Sequence, residues 1–592
     1  MMKRLFFYIA LAVLLGFIQE AKAQFFIGST EVDTNSLVTN LDTPWEILWG
    51  PDNHIWFTER AGRISRLDPE TGANNVLLSI NEVHEESESG LMGMVLHPDF
   101  SNQPYLYVVY TYLDSGVIKE RLVRYTYSNQ SLSSPLILID AIPGSSRHDG
   151  SRLVIDSNLK LFMTTGDATD QSLPQDLSSL NGKVLRLNLD GSVPDDNPIA
   201  GSYIWSWGHR NAQGLVIAPS GIIYSSEHGP STDDELNIIE KGRNYGWPTV
   251  RGFCDTPTEV DFCNDSNAVE PIAAWTPTLA VAGTGFYSLG PISDWNNSLL
   301  VTSLKASELT VLNLSEDGRS VVQETSYFQD WFGRLRDVCV SPDGRVFLAV
   351  SNRDGRGDVS AGDDRIVELA ALNVENYCYG EKDAFVCRGD SYNFNGLEIS
   401  EPGTYIDTIA QMGPCDSIIS LTLFNYAEEE TGLIDTVFMS TAQTGTVTAN
   451  TGFASYSWNN GPQTQNNSVQ VVAADFGEGF HEYYLQVETQ FGCIQRDTII
   501  LAIRTATGTW DQEASEFSVY PNPVGDEEIR IDYKLSEEAV LVVYDQLGRE
   551  MSRRTLYPSE TQTRINLPEE SGLYLLVFIT QGGTSQMKVL KH

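Results

Sequence analysis

Basic residues are scarce in this sequence. Lys and Arg number 38 against 79 Asp and Glu over 592 residues, a formal net charge of −41. Nucleic acid and anionic membrane surfaces are held by concentrated Lys and Arg, so this balance excludes both as partners. Cysteine is sparse too. There are seven, with no CxxC spacing and no Cys/His cluster, which excludes a structural zinc site. Beyond Ala23 no run is long and apolar enough to span a bilayer, which takes about 20 such residues. Helical periodicity is nearly absent, which excludes a helical bundle. Hydrophobic residues are not lacking: at 41% they are ample for packed cores and exclude global disorder. At about 150 residues per domain the length suggests roughly four domains.

The N-terminus carries a compartment signal. Lys3 and Arg4 precede the apolar run Leu5 to Ile18 and the site Ala21-Lys22-Ala23. That order reads as a secretory leader over residues 1–23, removed after Ala23. Seven cysteines suit an oxidising compartment. Cys254 and Cys263 are close enough to staple one loop, and Cys387 and Cys415 a second. Cys339, in an apolar strand pattern, reads as a buried free thiol.

One pattern recurs from about residue 40 to 370: a turn of Pro, Asp, Gly or Asn type, then an alternating apolar strand. Copies are Pro51-Asp52-Asn53 before HIWFTER, Asp156-Ser157-Asn158 before LKLFMTTGD, Pro219-Ser220-Gly221 before IIYSSEHG and Pro342-Asp343-Gly344 before RVFLAVSN. His97-Pro98-Asp99 before YLYVVYTY and the stretch Trp295 to Leu314 complete six. Period-2 strands at this spacing predict an all-β chain and a six-bladed β-propeller over 35–372. Separate sandwiches are the alternative, but the copies are too short for whole sandwiches. After about residue 375, Thr, Asn, Gly and Tyr dominate. That texture predicts one or two Ig-like β-sandwich modules over 376–508 and a small antiparallel β domain over 517–592.

Propeller loops carry function at one mouth of the channel, and four loop motifs there hold chemistry. His148, in Arg147-His148-Asp149-Gly150, has the residue type of a general base near neutral pH. Taken alone, a histidine in a surface turn is the better reading of it. Arg210 and Asn211, in WGHRNAQG, can hold a planar, oxygen-rich anion. The turn Glu227 to Glu235, with Gly229-Pro230, offers carboxylates and carbonyls, the hard oxygens calcium takes. Lys305 sits in an apolar strand context. Arg334 and Arg336 flank Leu335, so period 2 puts both on one face. They repel there unless an anion or an acid such as Asp337 lies between them.

In this order, the blocks GLMGMVLHPDF, SRLVI after His148, TTGDATD, QDLSSLNGKVLRLNLDGSVPDDNP, WSWGHRNAQG, SEHGPSTDDELNIIEKGRNYGWP, LLVTSLK and RLRDVCVSPDG resemble the soluble PQQ-dependent glucose/aldose sugar dehydrogenase family. The resemblance covers about residues 35 to 370. It implies a six-bladed propeller with PQQ over the channel mouth. His148 would take the proton of the sugar C1 hydroxyl while hydride passes to PQQ. Arg210 and Asn211 would contact the quinone side, so Arg210 is grouped with His148 as catalytic. Lys305, Arg334 and Arg336 would neutralise the three PQQ carboxylates. The carbonyls of Gly229 and Pro230 would hold calcium, and Glu235 and Tyr245 match ligands of a second, structural calcium. Two departures put glucose itself in doubt: Arg147 stands where the glucose enzyme has an acid, and Glu86 to Ser89 lack its substrate-binding glutamine.

The end of the chain resembles the C-terminal sorting domain of type IX secretion substrates, through YPNP at Tyr520 to Pro523, DQLGRE, and SGLYLLVF before KVLKH. That implies export to the cell surface or medium and secretion machinery as a partner. A sugar substrate and an external electron acceptor complete the expected partners. The competing expectations are a non-catalytic propeller that binds carbohydrate or protein, and a lactonase-type hydrolase. The hydrolase needs several side-chain carboxylates on a channel metal, and the sequence offers one acidic cluster.

Overall fold

The structure is a computed structural model. It describes residues 25–372, 377–409, 416–426, 428–434, 436–504, 517–520, 528–535, 538–545, 549–567, 572–580 and 583–591. The expected leader, Cys415 and Pro521 to Pro523 of YPNP lie outside the described residues.

Residues 25–371 form six antiparallel sheets in succession. The first holds Pro44–Trp49, Ile55–Glu59, Arg63–Leu67 and Asn74–Ser79. The second runs from Leu91–Leu96 to Ser131–Pro143, the third from Gly150–Ile155 to Ile204–Trp207, and the fourth from Val216–Ile217 to Ala273–Trp275. The fifth runs from Val281–Tyr287 to Val321–Tyr327. The sixth joins Leu335–Val340, Val346–Val350 and Arg365–Ala371 to strands from the start of the chain, Thr30–Val38 and Phe25–Ile27. Val32 pairs with Ala371, so the chain's two ends of this region are hydrogen-bonded in one sheet. The strands at 25–38 therefore belong to a unit whose start was expected at 35.

Each turn-and-strand copy found in the sequence supplies the second strand of a sheet: Ile55–Glu59, Tyr105–Asp114, Lys160–Thr165, Ile223–Glu227, Ser298–Ser303 and Val346–Val350. The alternation in these strands has a packing reason. Trp56 faces a cluster with Leu91 and Val108 of the second sheet, whereas Ile55 and Phe57 face Phe347 and Ile366 of the sixth. Phe162 packs towards Ile223 of the fourth sheet, and Leu161 and Met163 towards Tyr107 and Val109 of the second. Tyr224 meets Leu299, and Tyr287 meets Leu335 and Val346. Six clusters thus join each sheet to the next and the sixth to the first. Each fully buried large apolar side chain contributes about 1.5–3 kcal/mol.

The first strands of the sheets line the middle of the ring, where the core is polar. Arg152 of the third sheet pairs with Glu46 of the first at 2.7 Å and with Asp337 of the sixth at 2.9 Å. Its Nε donates to the carbonyl of Gln213 at 2.5 Å, and the guanidinium lies over the Trp45 ring at 4.2 Å. One buried cation so ties three sheets and the loop leading into the fourth together.

A helix at Pro257–Ser266, capped by Thr256, interrupts the all-β pattern. The Cys254–Cys263 disulfide closes that loop as the spacing predicts, and Cys339 is a buried free thiol. Cys387 is disulfide-bonded. The chain divides into two compact units, residues 1–426 and 427–592. The first takes in a small sheet with Tyr377–Cys387 parallel to Asp416–Tyr426, attached where the Tyr426 hydroxyl donates to Asp99 at 3.0 Å. The second holds a core around Trp458, Tyr483 and Ile499 and another around Ile531, Leu541 and Phe578.

Candidate functional site

Loops between sheets build one cavity of about 360 Å³ in the first unit. His148, Arg210, Gly229, Pro230, Lys305, Arg334 and Arg336, separated by up to 188 positions in the chain, all line it.

His148 stands two residues before Gly150, the start of the third sheet, at φ 63°. That left-handed conformation is uncommon for a side chain larger than Gly or Asn. The neighbouring turn holds it. A Cβ at Gly166 would sit 1.8 Å from the His148 carbonyl, so only glycine permits this approach. The Ala168 N–H donates to the His148 carbonyl at 3.0 Å, and the Asp167 N–H to that of Arg210 at 2.8 Å. Asp167 lies in the block TTGDATD and was not singled out from the sequence. It is buried, accepts from Trp247 Nε1 at 2.9 Å, and sits 2.8 Å from His148 Nδ1. This bond fixes the ring and favours the proton on Nδ1, which makes Nε2 the ring's acceptor. Arg210 Nη2 lies 3.2 Å from that Nε2, and Arg210 Nη1 donates to the His228 carbonyl at 2.9 Å. Burial holds the Arg210 guanidinium below its ordinary pKa. Glu227 in turn accepts from the Arg210 N–H and from His209, which is stacked on Tyr245.

Arg334 and Arg336 do share a face, and an acid does lie between them, but it is Asp354. Arg334 Nε donates to Asp354 at 2.8 Å, and Arg336 lies 3.5 Å from the same carboxylate. Asp337, named as an example of the alternative to a bound anion, pairs with Arg152 at the ring centre instead. Burial would raise Asp354, but Arg336 and Arg334 outweigh it and hold the carboxyl below its usual range. Arg336 is fully buried and pushed down to about 10, mainly by burial and then by Arg334 and Arg60 against the pull of Asp354. Its Nη1 reaches Gln213 at 2.9 Å, but its Nε is buried with no hydrogen-bond partner among the described residues. Lys305 is exposed, and its Nζ donates to Thr278 Oγ1 at 3.3 Å.

Asn211 is buried beside the cavity. Its Oδ1 accepts from the Gly150 N–H at 3.1 Å, and its Nδ2 has no partner among the described residues. His228 Nε2 is a third buried polar atom without one. Burial, then Arg336 and Arg210, push its imidazole down to about 3, so it is neutral. Unsatisfied buried donors around an excess of cations fit a polyanionic ligand with carbonyl or carboxylate acceptors.

The Gly229 and Pro230 carbonyls accept no backbone N–H among the described residues. Asp234, which lines the cavity too, accepts from the Gly229 N–H at 2.8 Å and so shapes that turn. Two free carbonyls fit part of a calcium shell. Glu235 and Tyr245 do not line this cavity. Glu235 opens, with Glu227, on a small adjoining pocket, and burial followed by Glu227 raises it to about 8. Arg210 and Arg251 line the same pocket, so its charges are partly met by protein groups. Tyr245 lines neither pocket, and its hydroxyl donates to the Ile238 carbonyl and accepts from the Glu240 N–H.

Comparison with known proteins gives these features a context. A family model described as Glucose / Sorbosone dehydrogenase matches residues 41–360, more than half of the chain. One described as Secretion system C-terminal sorting domain matches 518–592. The quinoprotein glucose dehydrogenase B of Acinetobacter calcoaceticus is 32% identical over 435 residues, 59% of this chain and 90% of that protein. The aldose sugar dehydrogenase YliI of Escherichia coli is 30% identical over 342 residues, 55% of this chain and 91% of that protein. Among solved structures, the PQQ-bound aldose sugar dehydrogenase of Streptomyces coelicolor superimposes with a TM-score of 0.51 at 30% identity, covering 58% of this chain and 99% of that one.

Proposed function

The chain belongs to the glucose/sorbosone dehydrogenase family, and we propose that it is an exported quinoprotein that oxidises an aldose or related hydroxyl compound at C1. In this reading the six sheets are the blades of a propeller, residues 376–508 are Ig-like spacers, and the last domain addresses the chain to type IX secretion. Lys305, Arg334 and Arg336 would hold the carboxylates of PQQ. Arg210 and Asn211 would face its quinone side, and the Gly229 and Pro230 carbonyls would hold calcium beside it. When bound, PQQ supplies the two-electron acceptor that no side chain here can provide.

The chain's own residues do the rest. The sugar C1 hydroxyl takes the place of Arg210 Nη2 at His148 Nε2, which accepts its proton as the C1 hydride leaves. Asp167 keeps the imidazole in the accepting tautomer and stabilises the imidazolium that forms. Arg210 sets the ring's other edge and carries positive charge where negative charge gathers on oxygen.

The single observation behind this reading is the gathering of His148, Arg210, Lys305, Arg334 and Arg336 around one cavity. It is tested by mixing the apo-protein with PQQ and calcium, following binding by absorbance, and offering a sugar panel with a dye acceptor. Binding with dye reduction is expected. No bound PQQ and no dye reduction on any sugar would end the reading.

A further inference from the structure

The charges around the cavity do not balance. Seven Arg and Lys side chains line it against three carboxylates, in a chain whose formal net charge is −41. Four of the cations have an identified acid. Arg356 pairs with Glu88 at 2.9 Å, and Arg60 with Glu85 at 3.0 Å. Arg334 pairs with Asp354 at 2.7 Å, and Arg336 shares that same carboxylate. Asp234 takes its hydrogen bonds from backbone N–H groups. Among the described residues Arg147, Arg210 and Lys305 have no carboxylate within ion-pair distance. A tricarboxylate held by Lys305, Arg334 and Arg336 accounts for part of the excess, and Arg210 is committed to His148 and His228.

Arg147 is left over. It is exposed, lines the cavity, and immediately precedes the proposed base. Its loop is fixed from both sides: the Glu88 N–H of the preceding loop donates to the Ser146 carbonyl at 3.0 Å, and within the loop the Ser145 N–H donates to Asp149 at 2.8 Å. A long guanidinium beside His148 is placed to touch whatever ring His148 touches. Guanidinium binds a carboxylate by two parallel charge-assisted bonds, and a neutral hydroxyl far less strongly.

We infer that Arg147 is a specificity residue that selects sugars carrying a carboxylate, so that hexuronates are preferred over neutral aldoses. The inference rests on the dehydrogenase reading above. The acidic surface repels such anions at long range, and the locally positive cavity is what draws them in.

The test uses the full chain loaded with PQQ and calcium. Compare kcat/KM for glucuronate and galacturonate with that for glucose and galactose. The uronates should lead by about tenfold or more. Arg147→Gln should lower the uronate-to-neutral ratio about tenfold, and Arg147→Glu should lower it further. In the unaltered protein the ratio should also shrink as NaCl rises to about 0.3 M, because an exposed cation is screened. A neutral aldose that matches or exceeds the uronates, or a ratio unmoved by Arg147→Gln, overturns the inference. If no sugar is oxidised at all, the dehydrogenase reading fails. Calorimetric binding of glucuronate against glucose to the same full chain then decides the charge preference, and equal or absent binding of the two overturns it.

Discussion

Two arginine sites lie within one ring, joined through one residue. Gln213 gives its carbonyl to Arg152 and its side-chain oxygen to Arg336. At the centre Arg152 has two carboxylates, a carbonyl and an aromatic face, and its charge is matched from every side. In the cavity Arg334 and Arg336 divide one carboxylate, and Arg336 keeps a buried Nε unbonded. The same side chain is therefore structural in one place and expectant in the other. The difference lies in the supply of acceptors: a saturated cation holds sheets together, and a deficient one is held by the fold for a ligand.

The largest expected effect is at the centre. Arg152→Met leaves Glu46 and Asp337 buried without their cation, and urea unfolding should show a loss of about 3–5 kcal/mol. A loss under about 1 kcal/mol would erase the distinction between the two sites. Next is Arg336→Gln. It should weaken PQQ binding about a hundredfold in an absorbance titration. The thermal midpoint should stay level or rise, because burial already disfavours that charge. A large fall in the midpoint with unchanged PQQ binding would reverse the assignment. Asp167→Asn should reduce kcat about tenfold to a hundredfold, and the pH profile of kcat should shift while PQQ affinity holds. An unchanged profile would make Asp167 a packing residue only.

The smallest effect provides a control at neither site. Burial holds His97 at about 4 in the folded chain, against an ordinary 6.5. Between those values the unfolded chain binds a proton that the folded chain does not, so stability falls as pH drops from about 6.5 to 4. The loss should be about 1–2 kcal/mol once partial solvation is allowed for. His97→Gln should flatten that slope, and equal slopes in both proteins would refute it. The Arg152 and Arg336 variants should keep it.

Much of the ring was legible because its signals are local. A turn followed by alternation marks a strand with two buried faces, and all six copies fell on the second strand of a sheet. The close cysteines of the 254–263 loop and the buried thiol of Cys339 were legible for the same reason. Arg334 and Arg336 followed from period 2 alone. Their acid did not. Asp337 is next in the chain, but adjacent strand residues face opposite ways, so it serves Arg152. Asp354 reaches both arginines only because the loop after Val346–Val350 folds back over them.

The amino-acid order by itself determined the all-β repeat, the acidic surface, and the residue types able to hold an anion and accept a proton. These depend on neighbours a few positions apart, where backbone geometry fixes direction. Tertiary structure decided which charges are met and which are left over. That outcome depends on groups brought together from distant sheets and on water being removed from between them. Closing the ring does both, and it separates the satisfied Arg152 from the waiting Arg336 and the unmatched Arg147.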